Sequence, residues 1–433
     1  MKQLATGWLI VTATWAHAAT LSVPDAYPTI QSAIDAAANS DTVAVSPGLY
    51  KEHINYAGKA IVVLGLAGRD STVIEGHLFQ VAVVRFISGE GSGAILDGFT
   101  VRNARDAAGI DCLNSGPIIQ NCDISRNEEE GRGGHGVYSR GSSMPTIRYS
   151  RLHDNAAQKG GAVRAIQTGG AVIHHSEIFC NWGRSGSAVA VDVGTLLNMH
   201  HNLVHGNQFA ASVVESRSQY TYIRNNAFVG NGGGLVVSSS GADVRNNIFV
   251  GQRGKALSVP IGTVGYNLFW DNDSNGTAGI GDVVADPMFN DPAVGDFSLQ
   301  PGSPGIDAGD PGPSYNDSDG TRGDIGPGPV WGFPHVPYWR DCPIVLSGDF
   351  NGSGAITSAD LIGCINYIFR SGPPPLPCPA NGDVTCTGTV TASDVIHYLN
   401  YLFLGNGAVA FKGGGDPPCL NCRVIYYGLF TCP

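Results

Sequence analysis

Charge is scarce in this sequence. Only 14% of its 433 residues are charged, and the acidic side is almost all Asp, 28 against 8 Glu. A chain built from helices would draw more on Glu and Lys, which suit helix interiors. Basic residues are also few, the net charge is −11, and a nucleic-acid partner would want a basic face, so that class is excluded. Past the first residues no stretch approaches the ~18 apolar residues of a membrane helix. What is plentiful is Gly, with 60 residues. Together with Asp it describes short strands joined by frequent turns. The length leaves room for two or more domains.

The chain opens with MKQLATGWLIVTATWAHAA. Lys2, an apolar run from Leu4 to Trp15 and the small-x-small site Ala16-His17-Ala18 have the form of a signal peptide over 1–18. The expectation is export, secreted or at a cell surface, without membrane insertion. Seven of the ten cysteines follow residue 341, namely Cys342, Cys364, Cys378, Cys386, Cys419, Cys422 and Cys432. Export makes disulfides their expected state, with one left over. The Cys419-x-x-Cys422 pair alone is a weak signal for zinc.

Between these ends lies a near-duplicate, TYIRNNAFVGN at 221–231 and ADVRNNIFVGQ at 242–252. Self-similarity at a fixed period is the mark of a solenoid. Aligned on the closing amide, the copies are anchored at Asn103, Asn127, Asn155, Asn181, Asn207, Asn231, Gln252 and Asn272, in steps of 20–28 residues. Eight residues before the anchors from 127 onward stand Ile119, Ile147, Ile173, Met199, Ile223, Val244 and Val264. Three before them stand Ile124, Leu152, Ile178, Val204, Phe228, Phe249 and Phe269. Columns that stay apolar through every copy read as inward core stacks. Five before the anchor the column becomes Asn (Asn202, Asn226, Asn247, Asn267), a residue that tolerates a left-handed bend and can stack its amide rung to rung. Each unit is therefore strand, bend, strand, with more strand later in the rung. The fold expected over 19–300 is a parallel β-helix with rungs ~4.8 Å apart. Before it, Ile30, Ala33, Ile34 and Ala37 after Thr29 predict a short helix capping the first rung. After it, the Pro-, Gly- and Asp-rich stretch 301–341 reads as a linker. Asn316, Asp317, Asp319 and Asp324 there suit either calcium or, the plainer account, Asp-Gly turns.

A second duplication closes the chain. GDFNGSGAITSADLIGCINYIF at 348–369 returns as GDVTCTGTVTASDVIHYLNYLF at 382–403, an offset of 34 residues. Asp349, Asn351, Ser353 and Asp360 take positions 1, 3, 5 and 12 of a calcium loop, with Gly354 at its turn. Leu361, Ile365 and Ile368 then mark a helix with one apolar face. In the second copy Asp383, Thr385, Thr387 and Asp394 take the same places.

This duplicated half-EF-hand resembles a type I dockerin over about 348–407, within an expected calcium-binding domain with a cysteine-rich tail over 342–433. It implies calcium as cofactor and a cohesin-type scaffold or cell-surface protein as partner. Thr385 and Thr387 stand where that family prefers Asn and Asp. Ser358-Ala359 and Ala392-Ser393 stand where its best-known members carry a hydroxyl pair for cohesin recognition. The stretch YPTIQSAIDAA followed by DTVAVSPGLYKEHI is similar to the start of pectin-lyase-like right-handed β-helix proteins. That resemblance implies the all-β solenoid and a bias toward polysaccharide. It does not by itself imply a reaction.

On such a solenoid, positions seven, four and two before each anchor are expected to face water. The first column holds Gln120, Arg148, His174, His200, Arg224 and Arg245. The second holds Asp123, Arg151 and Glu177, and the third includes His153 and His205. A polysaccharide lyase would need a base and cations, for which Arg148, Arg151, His153 and His174 are the candidates. A glycoside hydrolase would need two carboxylates, and Asp123 and Glu177 sit two rungs apart, ~9–10 Å between backbones. Alternating charges up a column also describe a salt-bridge ladder. Two functions stand at this point, a secreted carbohydrate-active or carbohydrate-binding protein tethered by its dockerin, and a non-catalytic surface or matrix protein.

Overall fold

The structure, a computed structural model, describes residues 18–328 except 129–133, 193, 195, 208–210, 293–295 and 318–319. Beyond these it describes only six isolated positions, 358, 361, 362, 364, 365 and 395, all helical. The signal peptide up to residue 17, the eight calcium-loop residues and all but one of the seven late cysteines lie outside the described residues. The exception, Cys364, is buried.

Short segments of alternating burial form three parallel sheets. The first has eleven strands, from Thr20–Val23 through Thr146–Arg148 and Ala171–His174 to Thr263–Gly265. The second, also of eleven, runs from Gly48–Tyr50 to Val283–Val284, and the third, of ten, from Ile54–Asn55 to Ser274–Gly276. Every strand pairs with its equivalent in the next rung, so the chain climbs as a parallel β-helix. Both core columns stand in register as expected. Ile119, Ile147, Ile173, Met199, Ile223, Val244 and Val264 stack in the first sheet. Ile124, Leu152, Ile178, Val204, Phe228, Phe249 and Phe269 stack in the second. All are buried but the half-buried Val264. The three Phe rings lie stacked, 5.0 and 5.3 Å apart.

Two details of the repeat differ from expectation. Asn103 is not an anchor. The Ala104 N–H donates to Asn127 Oδ1 at 3.0 Å, so Ala104 holds that column and Asn103 lies one residue early, at φ 61°. The bend and the amide ladder are also divided between two residues. The left-handed conformation falls on Asn121, Tyr149, His175, His201, Asn225, Asn246 and Tyr266, with φ of 49–58°. The next residue turns inward and builds the ladder, with Asn202 Nδ2 donating to Asn226, Asn226 to Asn247 and Asn247 to Asn267 at 2.9–3.1 Å. The anchors form a second ladder, from Asn127 through Asn155, Asn181 and Asn207 to Asn231, again at 2.9–3.1 Å. A buried amide left unpaired would be costly, and here each is satisfied by the rung above.

The predicted helix forms at Ile30–Ala36 with Thr29 as its N-cap, Thr29 and Ser32 bonding reciprocally. It buries Ile30, Ala33 and Ile34, and the Glu52 carboxylate accepts from the Ile30 and Gln31 N–H groups.

The expected linker is not a free connector where it is described. After an antiparallel pair, Phe289–Asp291 with Asp296–Leu299, the chain folds back along the outer face of the second sheet. There Phe297 and Ile325 pack with Leu203, Ala227, Ile248 and Leu268. Asn246 fixes the segment, its carbonyl accepting from Gly326 N–H and its Oδ1 from Asp310 N–H, both at 2.8 Å. Asp324 accepts the Asp307 N–H at 2.9 Å, as turn chemistry requires.

Candidate functional site

The six candidate residues divide between two patches on either side of the first bend. Asp123, Arg151 and Glu177 occupy one outward column of the second sheet, in register with Leu203 one rung on. Ser125, His153, Phe179 and His205 form the neighbouring column. The expectation that these positions face water is overturned. Asp123 is 4% exposed, Arg151 2%, His153 6%, Glu177 7% and His205 6%. Their side chains do point away from the core, as strand alternation demands. They are covered from outside: Phe179 stacks between His153 and His205 at 4.6 and 5.2 Å, and Phe297 lies 6.0 Å from His205.

Charges so placed must be paired, and they are. His153 Nε2 lies 3.0 Å from both Asp123 oxygens, and its Nδ1 2.8 Å from Asp154 Oδ2. Burial pushes the His153 pKa down, but the two carboxylates outweigh it and hold it up at about 9. Burial likewise pushes Asp123 up, and His153, Ser125 and Arg151 together bring it down to about 2. Glu177 Oε1 sits 3.0 Å from His205 Nε2 and its Oε2 3.8 Å from Arg151 Nε. Burial pushes His205 down to about 3, so a neutral imidazole meets Glu177. Asp123 and Glu177 are thus both engaged, with Arg151 between them. That is the arrangement of an ion-pair ladder rather than of a free acid and base.

The remaining candidates, Arg148 and His174, lie across the bend on the first sheet, in the half-buried column Gln120, Arg148, His174, His200, Arg224 and Arg245. Arg224 and Arg245 share Asp243, and Arg245 also pairs with Asp310. Arg148 is different. Its Nε and Nη2 donate to the neutral Gln120 Oε1 at 2.8 and 2.6 Å, and among the described residues no carboxylate pairs with it.

Beside this column the bend carries Tyr149, His175 and His201 on successive rungs. His175 and His201 stack at 5.0 Å, Tyr149 lies 5.3 Å from His175, and His174 stacks on His200 at 4.9 Å. Burial lowers the pKa of all four histidines, and the neighbouring imidazoles add to it for His174 and His201, which fall to about 4. At neutral pH this is an uncharged imidazole surface. Tyr149, His175, His201 and Asp154 were not among the candidates. The His-His doublets at 174–175 and 200–201, 26 residues apart, were the signal for two of them. Among the described residues no group of three or more His, Cys, Asp or Glu encloses a metal position.

Comparison with known proteins follows the same line. A family model described as "Right handed beta helix region" matches residues 85–249. Among solved structures the chain is similar to the pectate lyase Pel9A at 16% identity and a TM-score of 0.43, over 68% of this chain and 89% of that one. It is similar to the pectin methylesterase from Aspergillus niger at 13% identity and 0.33, over 64% and 92%. To the pectin methylesterase from carrot the figures are 12% and 0.27, over 64% and 91%. No curated protein matches the chain. Scores and identities this low transfer no activity.

Proposed function

We propose that this chain is an exported carbohydrate-binding β-helix protein whose glycan surface is the first bend between Arg148 and His201. The observation that carries the reading is Arg148, a cation that no carboxylate pairs with among the described residues, next to the 38% exposed ring of Tyr149. Tyr149, His175 and His201 continue upward as a rail of rings, one per rung. Sugar rings present apolar C–H faces that rest on aromatic rings, and an arginine takes a uronate carboxylate in two parallel hydrogen bonds. An acidic polysaccharide laid along the axis would use both.

Catalysis is less well supported. Asp123 and Glu177 are bound to His153, His205 and Arg151, and a hydrolase needs one of its carboxylates free to donate a proton. The same engagement favours a second reading, a non-catalytic surface or matrix protein in which the solenoid is a spacer. Affinity electrophoresis in polygalacturonate and in neutral glycans separates these. Polygalacturonate is expected to retard the full chain, and Arg148→Gln with Tyr149→Ala to weaken that binding roughly tenfold. A chain retarded by no glycan, releasing no reducing ends, no unsaturated products and no ester, would leave only the spacer.

The tether is proposed from the sequence alone. Asp349, Asn351, Ser353 and Asp360 in the first loop, and Asp383, Thr385, Thr387 and Asp394 in the second, supply the oxygen ligands calcium takes. Asp349→Ala is expected to lower calcium affinity and destabilise the C-terminal domain while the β-helix melts as before. Calcium titration with domain calorimetry checks this, and an unchanged titration would remove the dockerin assignment.

A further inference from the structure

We propose that the returning chain is a stop that sets how long a stretch of glycan the first bend takes. Its Asp310 and Tyr315 occupy the upper arginines of the column in which Arg148 stands, so the bound stretch ends below Arg224. The inference rests on the glycan reading of the bend. In register the column runs Gln120, Arg148, His174, His200, Arg224 and Arg245, one residue to a rung at ~4.8 Å. Its cations stand at two heights. Arg148 is the lower, and the acceptor it holds is the neutral Gln120. Arg224 and Arg245 are the upper, beginning three rungs further on, and the returning chain lies on them. Asp310 pairs with Arg245, and the Tyr315 ring lies 5.2 Å from the Arg245 guanidinium carbon and 5.8 Å from that of Arg224.

A carboxylate on an arginine beside an aromatic ring is what an acidic sugar would find at Arg148 and Tyr149. At the upper height the protein supplies both from its own chain. The charge count agrees. Arg224 and Arg245 share Asp243, and Asp310 is the second carboxylate that neutralises the pair. Without it one positive charge would stand uncompensated there, as one does at Arg148. Arg224 is covered more than satisfied: it lies against both Tyr222 and Tyr315, and its buried Nε has no hydrogen-bond partner among the described residues. The return is also fastened at this height. Asp310 N–H donates to Asn246 Oδ1 at 2.8 Å, and Asn225 Nδ2 donates to the Asp324 and Gly326 carbonyls at 3.1 and 3.2 Å. The Arg322 guanidinium lies 5.7 Å from the Tyr266 ring. These contacts fall on Asn225, Asn246 and Tyr266, the three bend residues that follow Tyr149, His175 and His201. The stretch left open runs from Gln120 to His200, room for about four sugars at one to a rung.

Oligogalacturonates of increasing length, titrated calorimetrically into the full chain, test this. Affinity should rise up to about four units and then stay level. With Asp310→Ala and Tyr315→Ala together it should go on rising to about six units, the longest binding roughly tenfold tighter than to the parent. Adding Arg245→Gln should cancel that gain. Tyr315→Ala alone leaves the Asp310 pair in place, so it should give a smaller gain while the β-helix melts as before. Affinity that climbs past about six units in the parent, or a plateau that neither variant moves, overturns the stop and leaves the glycan reading standing. A parent that binds no oligogalacturonate of any length removes the glycan reading, and the stop with it.

Discussion

Asn207→Ala is expected to cost about 4 kcal/mol of stability, more than most single substitutions. Asn207 lies in the middle of the anchor ladder and is fully buried. Its Oδ1 accepts from both the backbone N–H and the side-chain amide of Asn181, each at 3.0 Å. Its Nδ2 donates to the Ile178 carbonyl at 2.9 Å and to Asn231 Oδ1 at 3.1 Å. Alanine strands the Asn181 N–H and the Ile178 carbonyl away from water, at about 1–3 kcal/mol for each group. Asn207→Gln should be milder, because Gln252 already fills this column two rungs on. Urea unfolding measures both. An alanine variant within 1 kcal/mol of the parent would mean that the ladder is ornamental.

The second large effect is a stability maximum near pH 6.5. His153 is held at about 9, against 6.5 for an ordinary histidine. Its contribution is complete below about pH 6.5 and is lost as pH rises through 9, a fall of about 3 kcal/mol. The other histidines shifted by burial act in the opposite sense. His135, His174 and His201 are pushed down to about 4 and His205 to about 3, in each case chiefly by burial. Their contribution is present above pH 6.5 and is lost as pH falls, because the unfolded chain takes up protons that the folded one refuses. Denaturant melts from pH 4 to 9 should trace both limbs. In His153→Gln the alkaline limb should vanish while the acid limb stays. A variant that keeps the fall between pH 7 and 9 would show that some other group causes it.

Much of the fold could be read from spacing alone. The Ile119 and Ile124 columns recur because each rung must refill the same two core positions, and a period survives insertions in the loops between. Asn103 misled because the first full rung closes on Ala104, a residue too plain to mark an anchor. The bend misled because one Asn was asked to do what two neighbours do: His175 and His201 hold the left-handed turn and leave the ladder to Ser176 and Asn202. Exposure was harder. Asp123 and Glu177 point outward, as alternation says, but His153 from a later rung and Phe297 from well beyond them decide what reaches water. Contacts across such separations leave no local pattern. In the doublets His174-His175 and His200-His201 the first histidine falls in the outward column, while the second falls on the bend, a position that carries no repeated residue type.

The return of the chain along the second sheet, from Phe297 to Ile325 where it is described, changes how the rod would carry a load. Hydrogen bonds between rungs run along the axis, so a pull on the last rung would peel the helix open one turn at a time. Tension applied downstream of Gly328 does not begin there. It reaches the body first where Gly326 and Asp310 are held by Asn246, and where the Asn225 side chain holds the Asp324 and Gly326 carbonyls. The force enters partway along the rod, across several contacts strained together, and the final rungs are spared until that grip gives way.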